Sequence, residues 1–309
     1  MKKRTYPWDY IFLLRPTLIM TVWTMFFAGY YRATPIVRFG WHTLSKKFWL
    51  VFIAYSLFSG VAYIINQIVD RESDRLNRKL FLIADGYIPV SHAITEAITL
   101  TIIGVFLLYR MDASIKIIAG ISFLMGIMYS LPPFSFKARA GIDLIFNAVG
   151  YGFFNFAMGW LINRPLEYKL FLNALPYIFA VAGIFGATTL LDIEGDKETG
   201  KITLGVKFGF KPTLLLSTGF IIMSLVFSII VKDIICAIVA GIATLLFLYT
   251  LHKPDLTKTK IAMRLSAPIL TLLLGIFYPQ LLILCFVTFI LMKIYYKLRF
   301  GIDYPSIKG

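Results

Sequence analysis

Residues 46–74 read KKFWLVFIAYSLFSGVAYIINQIVDRESD. No charged side chain interrupts Phe48 to Val69, and then Asp70, Arg71, Glu72 and Asp74 follow almost at once. Roughly 20 apolar residues, wound as helix, cross the ~30 Å of hydrocarbon in a bilayer. The pattern recurs along the chain, with apolar segments near 10–31, 48–69, 93–109, 114–130, 142–162, 170–191, 212–231, 233–251, 262–278 and 280–298. The 309 residues are 59 % apolar and 15 % charged, against about 45–50 % and about 25 % in soluble domains. A soluble globule, a disordered chain and a disulfide-stapled secreted scaffold are excluded. No stretch alternates with the period of a barrel strand. The fold class is therefore all-α: a polytopic membrane helix bundle of nine or ten transmembrane helices, read as one domain over 1–309. Tyr278-Pro279-Gln280 leaves open whether the last two segments are separate helices.

The net charge is +15, from 31 Lys and Arg against 16 Asp and Glu. These charges lie between the apolar segments, so nucleic acid is not the expected partner. With the N-terminus inside, fourteen Lys and Arg fall in inner connections and nine in outer ones. Lys2, Lys3 and Arg4 agree, so the N-terminus and the loops after the even-numbered segments are expected on the cytoplasmic side. The first segment reaches about Tyr30 with no small-residue cleavage site and reads as a membrane helix, not a signal peptide. Cys236 and Cys285 sit inside apolar segments with no CxxC or Cys/His context, which suggests neither a metal site nor a disulfide.

Two acidic clusters carry the chemistry. Asn66, Asp70 and Asp74 are spaced i, i+4, i+8 and share a face if the helix continues. Asp192 and Asp196 end the sixth segment with the same four-residue spacing, 122 residues after Asp70 and Asp74. Four crossings restore the membrane side, so a duplicated four-helix unit, about 8–131 and 142–252, puts both clusters on one face around a central cavity. Neighbouring carboxylates repel unless a cation lies between them. Oxygen-only ligands suit Mg²⁺, which shares itself with phosphate oxygens. Asn66, Asp70, Asp74, Asp192 and Asp196 are thus the candidate metal ligands. A solvated helix end with Arg71 and Arg75 as ion-pair partners is the plain alternative for the first cluster taken alone.

Cations accompany both clusters. Arg71 follows Asp70; Gly195, Lys197, Gly200 and Lys201 surround Asp196. Between the clusters, Tyr129 ends the fourth segment, with Lys137 and Arg139 after it. Glycine lets backbone approach an anion and lysine neutralises it. Asn66, Arg71, Lys137, Arg139, Lys197 and Lys201 are the candidate diphosphate-binding residues, and Tyr129 is a candidate catalytic hydroxyl beside the four aspartates. A site inside a membrane with two metal-binding clusters asks for a ligand that is both apolar and anionic. An isoprenyl diphosphate is both.

The combination resembles the UbiA superfamily of intramembrane prenyltransferases, whose motifs are N-D-x-x-D-x-x-x-D, a Y-x-x-x-K element and D-x-x-x-D. The matching residues are Asn66, Asp70 and Asp74; Tyr129 with Lys137; and Asp192 with Asp196. Asp196, Gly200, Thr203 and Gly205 follow the family's G-D-x-x-x-G-x-x-T-L-G run, and Arg15-Pro16 its usual opening. The likeness covers about residues 10–210. Three departures stand out: Gln67 takes the place of an aspartate, Lys137 lies eight residues past Tyr129 and not four, and ten segments are present against nine helices. An amide oxygen of Gln67 could still serve a cation or water.

The resemblance implies two Mg²⁺ ions, an isoprenyl donor from geranyl to polyprenyl, and a lipophilic or aromatic acceptor such as a quinone precursor or geranylgeranylglyceryl phosphate. Asn147, Tyr151 and Asn155, spaced i, i+4, i+8, together with Arg15, are candidate acceptor contacts; helix–helix hydrogen bonding accounts equally well for the asparagines. An ion-coupled secondary transporter and a terpene cyclase of the same fold are the rival readings. His42, His92 and His252 have no partner in sequence, and no GxSxG, HExxH or Walker A pattern occurs.

Overall fold

The computed structural model describes residues 4–34, 39–76, 81–198 and 200–305. Lys2, Lys3, Arg38, Arg78 and Lys79, counted for topology, lie outside the described residues, as does Thr199. All ten apolar segments are helical. They are α1 (Pro7–Leu13) and α2 (Pro16–Ala33), α3 (Lys46–Val69), α4 (Val90–Leu108), α5 (Ala113–Ser130), α6 (142–160), α7 (Tyr168–Thr188), α8 (Phe210–Ile230), α9 (Ile234–His252), α10 (Leu256–Phe277) and α11 (Pro279–Phe300). Among the described residues, eight of them, α3 to α5 and α7 to α11, are each long and apolar enough to cross a membrane, and α1 with α2, bent by 49°, would make a ninth if the pair is one span. The turn at Tyr278 separates α10 from α11, with Pro279 at the first helical position of α11, where its missing N–H costs no bond.

Side chains define where several helices start. Ser45 accepts from Phe48 N (3.1 Å), Asp233 from Cys236 N (3.0 Å) and Asp255 from Lys258 N (2.8 Å), each satisfying a donor the helix leaves open. Arg15, two residues past the end of α1, caps the start of α2 in the left-handed region, at φ 54. Pro16 accounts for the break between the two helices: it has no N–H and disfavours the right-handed helical region for the residue before it.

α6 is one continuous helix of three parts: Ile142–Asn147 and Asn155–Trp160 are α, and Ala148–Phe154 between them is π. A run of i, i+4 steps drifts round a plain α-helix by about 40° per step. The wider π turn takes up part of that drift, so Asp143, Asn147, Tyr151 and Asn155 all border the same cavity.

Contacts run from α2 to α6, α7, α8, α9, α10 and back to α2; α3 packs on α2 and α6, α5 on α3 and α6, and α4 on α3. α2 and α6 meet backbone to backbone. A Cβ on Gly29 would collide with the Phe156 carbonyl, and one on Gly159 with the Phe26 carbonyl. At the end that carries the acidic clusters, α1 is clamped to α11. Tyr295 Oη donates to the fully buried Asp9 (2.6 Å), Arg299 Nε pairs with it (3.2 Å), and the guanidinium lies 4.4 Å from the Tyr6 ring centre and 4.8 Å from that of Tyr87. Side chains of α2, α3 and α5 to α10 line a cavity of about 720 Å³.

Candidate active site

Asp70 caps the C-terminus of α3. Its carboxylate accepts from Asn66 Nδ2 (3.0 Å) and pairs with the Lys137 ammonium. Asn66 also donates to Ser130 Oγ (3.0 Å), and its own oxygen accepts from Arg15 (3.4 Å). The i, i+4 expectation for Asn66 and Asp70 thus holds in the geometry, and the ends of α3, α5 and α2 converge on one carboxylate. Arg15 lies 6.0 Å from the Tyr63 ring centre, and Tyr63 shares a 2.7 Å hydrogen bond with Tyr151.

The second cluster is built by a loop that folds back on its helix. Asp192 and Asp196 are joined by a backbone turn, Asp196 N to Asp192 O at 2.8 Å, into the short helix Ile193–Glu198. Gly200, at φ +69, closes that helix, and Lys201 N donates to the Asp196 carbonyl (2.9 Å). This is the left-handed terminator that glycine makes without strain. Thr203 Oγ1 then donates to the Asp196 carboxylate (3.0 Å), and Gly205 N to Thr189 Oγ1 (3.0 Å). Gly200 makes the turn, Thr203 orients Asp196, and Gly205 sits where a Cβ would strike the Thr189 carbonyl. Glycine serves chain geometry here as well as access. A parallel bridge between Arg139 and Ile202 draws the two basic loops together.

One cavity brings together Arg15, Asn66, Asp70, Tyr129, Lys137, Asn147, Asn155, Asp192, Asp196 and Lys201. Tyr129 Oη accepts from Asn147 Nδ2 (3.0 Å), and Asn155 accepts from Tyr55 Oη (2.8 Å). Asp74 stands one turn beyond Asp70, on the short helix Arg71–Leu76, and does not itself border the cavity. Burial first, and then the charge of Asp70, push its pKa up to about 6; Arg15, Lys201 and Lys137 pull the other way.

Besides Asp74, three candidates lie outside the cavity. Arg71 pairs with Glu72 (3.0 Å) and borders a separate surface groove with Arg75 and Asp85. Arg139 is exposed over the Phe136 ring, 5.6 Å from its centre. Lys197 is exposed and does not border the cavity. For Arg71 and Lys197 the reason is rotation: adjacent helical residues point about 100° apart, so a cation next to an aspartate in sequence faces away from it. Gln67 does not offer its amide oxygen to the cavity. It is buried, and its Nε2 donates to the Leu13 carbonyl (2.8 Å) and the Tyr63 carbonyl (3.1 Å). Leu13 ends α1, so its carbonyl is one of those a helix end leaves without an internal partner. Gln67 braces the α1–α2 break that presents Arg15.

Two residues were absent from the candidates. Ser130 carries no motif signature. Asp143 is 1 % exposed and borders the cavity, and its Oδ1 accepts from Gly141 N (2.9 Å) and Leu144 N (2.7 Å). It lies one four-residue step before Asn147, on the face already marked by Asn147, Tyr151 and Asn155.

Among the described residues, no three His, Cys, Asp or Glu side chains converge closely enough to hold a metal by themselves. The donor set is all oxygen, and Asp74 Oδ2 is buried without a hydrogen-bond partner. That fits Mg²⁺, which keeps waters and completes its shell with phosphate oxygens, and does not need an all-protein cage.

The UbiA prenyltransferase family matches residues 17–266. The chain is 26 % identical over 179 residues to 2-acyl-4-prenylphloroglucinol 6-prenyltransferase of Humulus lupulus, covering 53 % of this chain and 43 % of that protein. It thus spans less than half the length of that relative. It is 26 % identical over 208 residues to digeranylgeranylglyceryl phosphate synthase of Sulfurisphaera tokodaii, covering 66 % and 71 %. The solved structure of a UbiA homolog from Archaeoglobus fulgidus bound to DMAPP and Mg²⁺ superposes with a TM-score of 0.65 at 19 % identity, over 86 % of this chain and 99 % of that one. The shared fold is that of a helical membrane bundle.

Two outcomes are expected. Gln67→Asp sets a carboxylate against two buried carbonyl oxygens, and the thermal midpoint of the purified protein should fall by the equivalent of ~1–3 kcal/mol. Because the folded-state pKa of Asp74 is raised, its contribution to the stability of the metal-free protein is full below pH ~4 and is lost as the pH rises through about 6. The stabilisation by added Mg²⁺, read as a shift in thermal midpoint, should accordingly shrink below pH 6, and Asp74→Asn should flatten that dependence.

Proposed function

The chain belongs to the UbiA prenyltransferase family, and from that premise we propose that it transfers an isoprenyl group from an isoprenyl diphosphate to a lipophilic or aromatic acceptor within the membrane. The observation that carries this reading is the shared cavity. Asp70, Asp192 and Asp196 stand at one end with Lys137, Lys201 and Arg15, and apolar walls lead away from them. That arrangement suits a ligand with an anionic head and an apolar tail. The Humulus and Sulfurisphaera relatives, a prenyltransferase and a lipid synthase, support the same class.

Asn66, Asp70 and Asp74 would hold one Mg²⁺, and Asp192 with Asp196 a second. When bound, Mg²⁺ neutralises the diphosphate and makes it a better leaving group. The protein's own part is electrostatic. Lys137 and Lys201 add charge where the leaving group gains it, and Arg15, held in its left-handed turn, adds a third cation. In the free protein the Lys137 ammonium rests on Asp70, so a cation is already in position before the ligand arrives. Tyr129, oriented by Asn147, borders the cavity and would face the reacting carbon, and the apolar wall would keep water from the allylic cation formed as the C–O bond breaks. An acceptor nucleophile then forms the new bond and loses a proton. Asn147 is the proposed acceptor contact; Asn155, whose Oδ1 accepts from Tyr55 Oη (2.8 Å), lies too deep for that role, and Arg15, bonded to Asn66, serves the diphosphate instead.

In this reading the two acidic ends belong to repeated four-helix halves, about 8–131 and 142–252, and face the cytoplasm, in line with the excess of inner Lys and Arg. The transporter reading is less favoured. Transporter carboxylates lie near the bilayer midplane on broken helices, whereas Asp70, Asp192 and Asp196 follow helix C-termini at one end of the bundle.

The test is turnover of the purified protein with geranylgeranyl diphosphate, a panel of acceptors, and Mg²⁺ or EDTA. Asp70→Ala and Asp192→Ala should each lower diphosphate release by ~100-fold or more, with insertion and thermal midpoint retained. Full activity in both variants contradicts the proposal.

A further inference from the structure

The proposed function leaves the length of the isoprenyl donor open, and the depth of the cavity bears on it. Along α3 the lining runs from Asp70 at the mouth through Asn66, Tyr63 and Ser59 to Tyr55. Tyr55 lies fifteen residues before Asp70, a helical distance of ~22 Å. Along α6, Asn155 lies twelve residues past Asp143, at most ~18 Å, since the π turn rises less per residue than an α-helix. Tyr55 and Asn155 nevertheless meet at one level through their hydrogen bond.

At that depth hydrogen bonds tie the walls together. Tyr55 Oη donates to Asn155 Oδ1 (2.8 Å) and meets Ser122 Oγ (2.8 Å), joining α3, α6 and α5. Beyond it, Phe26, Phe27, Phe48, Phe52 and Tyr278 pack with ring centres 5.1–5.9 Å apart, and none of them borders the cavity. The other half repeats the device. Tyr177 precedes Asp192 by the same fifteen residues and borders the cavity, and its Oη donates to the fully buried Asp233 (2.8 Å), which pairs with Arg32 (3.4 Å). The offset that relates the two acidic clusters thus also relates two tyrosines whose hydroxyls are committed to buried partners.

We infer that Tyr55 and Tyr177 form the floor of the donor pocket and limit the apolar tail to about four isoprene units, the geranylgeranyl length, since an extended isoprene unit of four ~1.5 Å bonds advances ~5 Å. The inference rests on the proposed function, because it takes the acidic end as the seat of the diphosphate. Neither tyrosine is a catalytic residue in this account; both act on specificity.

The experiment is competition binding to the full-length protein in Mg²⁺, with non-ionising thiolodiphosphates carrying farnesyl, geranylgeranyl, geranylfarnesyl and hexaprenyl tails, and inorganic diphosphate as the tail-free probe. The wild type should bind the farnesyl and geranylgeranyl compounds and lose about tenfold or more in affinity at geranylfarnesyl and beyond. Tyr55→Ala, which opens the floor, should bring the longer tails to within about threefold of geranylgeranyl. Tyr55→Phe keeps the ring and should keep the limit; Tyr55→Leu serves if the alanine variant does not fold. Equal affinity of the wild type for hexaprenyl and geranylgeranyl tails overturns the inference, as does an unchanged length profile in a folded Tyr55→Ala or Tyr55→Leu. Both results leave the proposed function standing. If no member of the series, inorganic diphosphate included, binds in a Mg²⁺-dependent way, the proposed function fails and the inference with it.

Discussion

A carboxylate at the end of an apolar helix is costly to hold ionised, and the arrangement around Asp70 answers that cost with hydrogen bonds and charge. Asn66 and Lys137 both reach the carboxylate, Ser130 and Arg15 hold Asn66, and Asp74 beside it is buried enough to have its pKa pushed up to about 6. Nearby carboxylates and cations stabilise one another only when they are brought together, because burial penalises either sign alone. The chain therefore delivers Lys137 from the loop after α5 and Lys201 from the loop after α7, and the Arg139–Ile202 bridge ties those loops together. A ligand that brings both cations and anions, as a Mg²⁺-diphosphate does, can replace these contacts with stronger ones.

The bundle is built to keep that end fixed. α1 is clamped to α11 through Asp9, Tyr295 and Arg299, and Gln67 ties α3 to the carbonyl that ends α1. Together they position the break at Arg15, whose left-handed backbone carries a cost of order 1–3 kcal/mol that the surrounding contacts must offset. α2 and α6 touch backbone to backbone at Gly29 and Gly159, which leaves no slack between the walls. The strained turn thus lies where a cation must be held, and the close α2–α6 packing lies toward the far end of the same two helices.

Much of this was legible in the sequence. The ten apolar segments and the paired four-residue spacings were visible because helix length and helix period are local properties. The bend at Arg15 had a local signal too, in Pro16. What was not legible depended on partners distant in the chain. Gln67 reads as a displaced metal ligand until the Leu13 carbonyl is seen opposite it. Arg71 and Lys197 read as ligand contacts because they adjoin aspartates, yet one residue along a helix is a different direction in space. Asp143 was within reach, as the next four-residue step on a face already marked, but the π turn that keeps this face aligned leaves no clear trace in composition.

The central claim is that one Mg²⁺-diphosphate head joins the two acidic clusters. The most direct measurement is calorimetric titration of a non-ionising geranylgeranyl thiolodiphosphate into the purified protein, in Mg²⁺ and in EDTA, for the wild type, Asp70→Asn, Asp192→Asn and the double variant. Binding should require Mg²⁺, and the two substitutions should be non-additive, as expected of groups that share one ligand. Mg²⁺-independent binding, or strictly additive losses from the two clusters, would contradict it.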